Sequence, residues 1–261
     1  MTLFQSFILG VVEGITEFLP ISSTGHLILT SWLLGLSRTE FQKSFEIAIQ
    51  LGAIGAVIVL YWRRFLDIEM LKKIAIAFLP TGIIGLALYR VVKTYLLGSE
   101  EIVIWALGLG GVALIVFELL HREEKDAVQE VTAIPYSKAF LVGLFQSISI
   151  IPGISRAGAT ILGGLFVGLT RPVIVEFSFL LAVPTMLAAT GYDLLKNASA
   201  FSSEDTLNLA VGFVTSFIVA LISIKWLIGY VQTRNFIPFG IYRILVAVVL
   251  GFVLYGSLLR S

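Results

Sequence analysis

The sequence predicts an all-α integral membrane protein built as an inverted repeat, each half a re-entrant helical hairpin followed by three transmembrane helices. Three observations carry this. Of the 261 residues, 57% are hydrophobic and only 13% charged, and the mean hydropathy is +0.97, far more apolar than soluble domains. Six apolar runs approach the ~20 residues a helix needs to cross the hydrocarbon core, and none alternates as a barrel strand would. Two further apolar regions, each broken by Pro and Gly, match one another at a fixed offset.

Taken in chain order, residues 1–36 form the first broken region, interrupted at FLPISSTG, and each half has about the ~10–14 residues of a re-entrant segment. Spans are predicted at 42–62, 74–96 and 102–120, then a second broken region at 137–170, interrupted at IIPGISRAG, then spans at 173–195, 207–229 and 239–258. The broken regions align without gaps: Phe7 with Phe140, Gly10 with Gly143, Ser22 with Ser155, Gly25 with Gly158, Gly35 with Gly168 and Arg38 with Arg171, while Glu13 falls on Gln146. Polar residues and glycines in register argue for an internal duplication. The chain reads as one membrane domain over 1–261, with a first half at 1–120 and a second at 137–258. Three spans separate the hairpins, an odd number, so the second half is inverted.

Charge sets the orientation. Loops at 63–73, 121–138 and 225–235 carry Arg63, Arg64, Lys72, Lys73, Arg122, Lys125, Lys138, Lys225 and Arg234, whereas the opposite ends carry Arg90, Lys93 and Lys196. The first set is expected in the cytoplasm. Hairpin one then enters from outside and hairpin two from the cytoplasm, and their tips meet where irregular backbone is tolerated only around a cavity. The N-terminus, MTLFQSF, lacks the features of a cleaved signal peptide and is expected to stay in the mature protein. Net charge is +1 with basic residues scattered, so there is no nucleic-acid footprint. No cysteine is present, which excludes disulfides and thiolate chemistry.

Glu13 and Glu17 stand four residues apart, on one face of a helix, in surroundings where a carboxylate is expensive and so points to function. Two hard oxygen ligands suit Mg²⁺ or Ca²⁺, with substrate phosphate completing the shell; the alternative is helix capping or a pair with a buried Arg such as Arg243. Pro20 ends the first half-helix, and Ser22, Ser23 or Thr24 is expected to cap the second. Ser23 is also a candidate nucleophile, with His26 and Glu17 the nearest bases. Arg156, beside Ser155 at the start of the other half-helix, combines a guanidinium with free backbone N–H groups, an arrangement that binds phosphate; the alternative is an ion pair with Glu13 or Glu17. Ser155 and Thr160 are candidate supporting donors, and Glu46 and Gln50 are candidates to line the same cavity. Glu118, Glu176, Asp193 and Arg243 are less readable, and most lie near span ends where they are expected to snorkel. No nucleotide-binding loop or zinc motif is present.

EGITEFLPISSTGH at 13–26 and PGISRAGAT at 152–160 resemble the two signature regions of the bacterial undecaprenyl-diphosphate phosphatase family, also called the bacitracin-resistance family. The likeness runs along essentially the whole chain, including FEIAIQLG at 45–52. It implies metal binding and catalysis for Glu13 and Glu17, catalytic candidacy for Ser23 and His26, and diphosphate binding for Arg156. One departure is visible: the second motif usually reads PGxSRSGxT, and Ala157 replaces its second serine. The implied reaction removes phosphate from a C55 isoprenoid diphosphate, recycling the lipid carrier of cell-wall synthesis. The implied setting is the bacterial cytoplasmic (inner) membrane, with the site open to the periplasmic face. Membrane lipid and the polyprenyl diphosphate are the expected partners, and a homodimer is left open. Whether Ser23 or water attacks is undecided by sequence. The rival reading is a polyprenyl-phosphate flippase using the same cavity, since paired broken hairpins also build secondary carriers.

Overall fold

The computed structural model describes residues 1–37, 39–96, 98–122, 126–197 and 206–258. Arg38 and Lys125, and the side chains of Lys93, Asp193 and Lys196, lie outside the described residues. Among the described residues ten α-helices follow one another: α1 (Leu3–Thr16), α2 (Ser23–Leu33), α3 (Glu40–Tyr61), α4 (Ile68–Val91), α5 (Glu100–Leu120), α6 (Tyr136–Gln146), α7 (Arg156–Phe166), α8 (Arg171–Asn197), α9 (Thr206–Val231) and α10 (Ile237–Leu258). The described residues contain no strand, only an isolated bridge between Val128 and Leu169. Helices α3, α4, α5, α8, α9 and α10 are long and apolar enough to cross a membrane. At ~1.5 Å per residue the halves of the two broken regions reach only about 16–21 Å, too short to span.

The helix starts follow from capping. Thr2 and Gln5 form a capping box on α1, and the Thr39, Asp67 and Ser99 side chains accept backbone N–H groups at the starts of α3, α4 and α5. The Asp67 cap explains why α4 begins six residues before the apolar run predicted at 74: Glu69, Lys72 and Lys73 occupy its first turns. The π-helical turn Val92–Leu96 closes that run.

Charged residues expected to snorkel at span ends are paired instead. Arg171 Nη2 and Nε donate to Glu118 at 2.5 and 3.2 Å, and the Phe236 N–H donates to the same carboxylate at 3.0 Å. One buried carboxylate therefore ties the ends of α5, α8 and α10. Arg64 Nε lies 3.0 Å from Glu176, tying the α3–α4 connection to α8. A buried carboxylate such as Glu118 must find donors inside the protein, and both Glu118 and the half-buried Glu176 find theirs at the end of the bundle where the basic loops lie.

Helix α1 packs on α9 and α6 on α4; α3 packs on both α8 and α9, and α5 on α10. Small residues allow the close approaches, since helix association in lipid relies on packing more than on hydrophobic exclusion. A Cβ at Gly10 would fall 2.7 Å from the Gly212 carbonyl oxygen, one at Gly14 2.7 Å from that of Ser216, and one at Gly143 1.8 Å from that of Ala77. Gly10 and Gly143 are partners in the duplicated pattern, and each sits where its half-helix meets a spanning helix.

Gly143→Ala is accordingly expected to separate α6 from α4 and lower the unfolding temperature in detergent, with an overpacking cost of roughly 1–3 kcal/mol or more. Gly229→Ala, where a Cβ meets nothing within 4 Å, is expected to be neutral or stabilising. Thermal unfolding of the two variants side by side checks this.

Candidate active site

The first hairpin tip occupies residues 17–22, between α1 and α2. Glu17 is the C-cap of α1 and keeps helical dihedrals, so its backbone N–H still donates to the Glu13 carbonyl and the two carboxylates share one face. Glu13 is fully buried and Glu17 is 8% exposed. The chain then turns through Pro20 to Ser22, whose φ of 70° is the one positive value at a non-glycine residue among the described residues. Ser23 opens α2 and donates its Oγ hydrogen to Glu17 Oε2 at 2.7 Å.

The capping expectation fails at this tip. Ser22 holds the N-cap position of α2, but its side chain makes no capping bond, Ser23 is committed to Glu17, and Thr24 is exposed. The physical reason is the left-handed turn at Ser22, which is not the extended conformation from which an N-cap side chain folds back. Ser155, its partner in the duplicated pattern, is an ordinary cap: φ is −61° and its Oγ accepts the Gly158 N–H at 3.1 Å.

The second tip, residues 147–155, places Arg156 at the first position of α7. Arg156 Nη2 lies 3.4 Å from Glu17 Oε1, and Nη1 donates to the Ser178 carbonyl at 2.9 Å. Its guanidinium carbon lies 5.9 Å from the centre of the Phe18 ring. Ser155 Oγ also donates to the Leu19 carbonyl at 3.4 Å, so the two tips touch through backbone as well as charge. Residues 17, 23, 155 and 156 thus come together from chain segments well over a hundred residues apart.

Three polar atoms in this group are buried without a hydrogen-bond partner: both carboxylate oxygens of Glu13 and Nε of Arg156. Glu13 lies in the fields of Glu17, Glu46 and Arg156. Unpartnered buried oxygens beside a second carboxylate fit a divalent cation, and an unpartnered guanidinium N–H fits an anion. No third His, Cys, Asp or Glu among the described residues completes a protein-only metal cluster, so a cation here would draw further ligands from phosphate or water.

Other predicted residues make their side-chain hydrogen bonds to partners outside the Glu17, Ser23 and Arg156 side chains. His26 bonds the Ser22 carbonyl through Nδ1 at 2.7 Å and the Tyr242 hydroxyl through Nε2 at 2.9 Å, and its ring is hydrogen-bonded to neither Ser23 nor Glu17. Thr160 is buried and gives its hydroxyl to the Arg156 carbonyl at 2.7 Å, inside its own helix. Gln50 is half-buried on α3, one turn beyond Glu46, which accepts from Gln42 at 3.3 Å.

The residue that sequence reasoning undervalued is Arg243. It is 1% exposed and pairs with neither Glu13 nor Glu17. Its Nη1 donates to the Pro20 carbonyl at 3.1 Å, Nη2 to those of Ala106 at 2.9 Å and Gly153 at 3.3 Å, and Nε to that of Leu107 at 3.2 Å. It therefore joins both tips to α5. An arginine in the sixth span was the available signal, but the carbonyls it would serve belong to distant turns.

Residues 6–249 match the family model described as bacitracin resistance protein BacA. The chain is 54% identical over 248 residues to a protein of Sulfurihydrogenibium sp. named undecaprenyl-diphosphatase, covering 95% of this chain and 98% of that one. A protein of the same name from Aquifex aeolicus is 52% identical over 250 residues, covering 95% and 97%. Another from Campylobacter jejuni is 45% identical over 258 residues, covering 98% and 96%.

Thr160→Val is expected to leave phosphate release within about threefold of wild type, because the hydroxyl it removes serves a helix carbonyl. Ser155→Ala removes a cap and is expected to cost about 1 kcal/mol of stability. Parallel melting and phosphate-release assays separate the two outcomes.

Proposed function

The chain belongs to the bacitracin resistance protein BacA family, and from that membership and the geometry of the two tips we propose how it acts. It is an undecaprenyl-diphosphatase: it hydrolyses undecaprenyl diphosphate to undecaprenyl phosphate and inorganic phosphate. The observation that carries the chemistry is the 2.7 Å hydrogen bond from Ser23 to Glu17, with Arg156 on the other carboxylate oxygen at 3.4 Å. The carrier alternative is not favoured, since the relatives bear the name of a hydrolase.

The steps follow from what each group can do. Arg156 receives the diphosphate; its Nε is unpartnered and its contact with Glu17 is long for an ion pair, so phosphate oxygens compete well for the fork. Glu17, relieved of Arg156, accepts the Ser23 proton through Oε2. Ser23 Oγ forms a bond to the terminal phosphorus as the bridging P–O bond breaks, and undecaprenyl phosphate leaves with that oxygen and its electron pair. The proton on Glu17 passes to that departing oxygen; the carboxylate so restored deprotonates a water that attacks the phosphorus, and as the P–Oγ bond breaks Ser23 Oγ takes this second proton and is a hydroxyl again. Glu13 and Glu17 would hold a divalent cation, Mg²⁺ or Ca²⁺, which when bound neutralises charge on the phosphate oxygens. The unpartnered oxygens of Glu13 support that assignment.

Three finer points belong to the same reading. The halves 1–120 and 137–258 are inverted copies, supported by the exchange of partners in which α1 packs on α9 as α6 does on α4, and α3 on α9 as α8 does on α4. The protein lies in the bacterial cytoplasmic membrane with its basic loops inside, supported by the positive-inside asymmetry. The site opens to the periplasmic face, supported by α1 and α2 entering from the side opposite those loops.

Ser23→Ala and Glu17→Gln are each expected to lower kcat for phosphate release from farnesyl diphosphate by about 10²–10⁴-fold. Acid quenching with terminally labelled substrate is expected to leave label on wild-type protein and none on Ser23→Ala; wild type unlabelled at every time point points to direct attack by water. Chelation of divalent cations is expected to lower activity by about 100-fold, restored by Mg²⁺ or Ca²⁺ in wild type and not in Glu13→Gln.

A further inference from the structure

The tip that presents Ser23 is held by contacts that the reaction does not use. Ser22, immediately before it, has φ 70° and ψ 97°, a left-handed conformation that a Cβ disfavours and that persists only where surroundings enforce it. Three carbonyls around it are taken. The Leu19 oxygen accepts from Ile21 N at 2.7 Å and from Ser155 Oγ at 3.4 Å, the Pro20 oxygen from Arg243 Nη1 at 3.1 Å, and the Ser22 oxygen from His26 Nδ1 at 2.7 Å.

The contact to Ser22 decides the state of His26. A carbonyl oxygen only accepts, so Nδ1 carries a proton. In the neutral ring Nε2 is then the acceptor, and it receives the Tyr242 hydroxyl at 2.9 Å, with the two rings stacked at 5.4 Å. Neither nitrogen is free to take a proton from Ser23, whose hydroxyl already points at Glu17. Tyr242 and Arg243 are consecutive on α10, so one turn of that helix braces the tip twice: Arg243 directly at Pro20, and Tyr242 through His26 at Ser22.

We propose that His26 is a positioning residue and not the general base: with Tyr242 behind it, it holds the Ser22 peptide in its left-handed turn and so aims the Ser23 hydroxyl at Glu17. This rests on the reading of Ser23 as nucleophile. The ring works as a hydrogen-bond donor between helix and turn, and any side chain that returns a donor to the place of Nδ1 substitutes for it.

Asparagine does so, because its amide nitrogen sits about where Nδ1 does. His26→Asn is expected to keep at least about a fifth of wild-type kcat, whereas His26→Ala loses about 30-fold or more with KM within about twofold. Tyr242→Phe is expected to lower kcat by about three- to tenfold, and the His26→Asn/Tyr242→Phe double variant to be no worse than His26→Asn, because the hydroxyl acts only through the ring. The acid limb of the pH profile of kcat/KM is expected to be the same in wild type and His26→Asn. A His26→Asn protein that melts like wild type yet is as inactive as His26→Ala, or one that loses the acid limb, overturns the proposal and restores the imidazole as a proton acceptor. Failure of the site reading itself looks different: Ser23→Ala would then retain wild-type turnover whatever His26 does.

Discussion

A helix broken inside a membrane bundle leaves backbone carbonyls that water does not reach, and Arg243 is what answers them. Its four hydrogen bonds go to Pro20 at one tip, Gly153 at the other, and Ala106 and Leu107 of α5 between them. No carboxylate among the described residues pairs with it, so its charge is stabilised by carbonyl dipoles alone. An unsatisfied backbone group in hydrocarbon costs several kcal/mol, and this one side chain serves carbonyls at both breaks. Both tips are thereby fixed within the length of α5 and α10, and the positions of Glu17, Ser23 and Arg156 follow from where the tips are fixed.

Around that clasp the polar groups divide into two kinds. Those that build the turns are satisfied: Ser155 caps α7 and reaches Leu19, Thr160 serves its own helix, and His26 bridges Ser22 and Tyr242. Those proposed to meet the substrate or a cation are not. Glu13 has two bare oxygens and Arg156 a bare Nε, and the contact joining Arg156 to Glu17 is 3.4 Å long. Buried groups left incomplete are ready to meet charge on a phosphate or a cation without first breaking a strong bond. Preorganised but incompletely satisfied groups suit phosphoryl transfer, where catalysis consists largely of holding oxygens in place and neutralising them.

The rest of the bundle keeps this arrangement compact. Gly10 and Gly14 let α1 approach α9, and Gly143 lets α6 approach α4, so each broken hairpin has one arm pressed on a full-length helix. Glu118 draws α5, α8 and α10 together at the end where the basic loops lie. The half-helices are too short to be anchored by lipid on their own, and these close contacts hold them in register with the spans.

By itself the sequence determined the helical class, the six spans to within a few residues, the two breaks and the acidic pair. Each of these is a local property: apolar length, the effect of Pro and Gly on helix continuity, and a spacing of four along one helix. It also marked Arg156 as a candidate anion ligand, because a guanidinium at a helix start is a local feature. Only the tertiary structure decided that Glu17 faces Ser23 and Arg156 together, that His26 turns away to Tyr242, that Ser22 does not cap α2, and that Arg243 bridges both tips. Those outcomes depend on pairs such as Arg243 and Pro20, or Ser155 and Leu19, more than a hundred residues apart. No periodicity or spacing encodes such pairs; they arise when carbonyls stranded at the breaks compete for the donors that packing brings within reach.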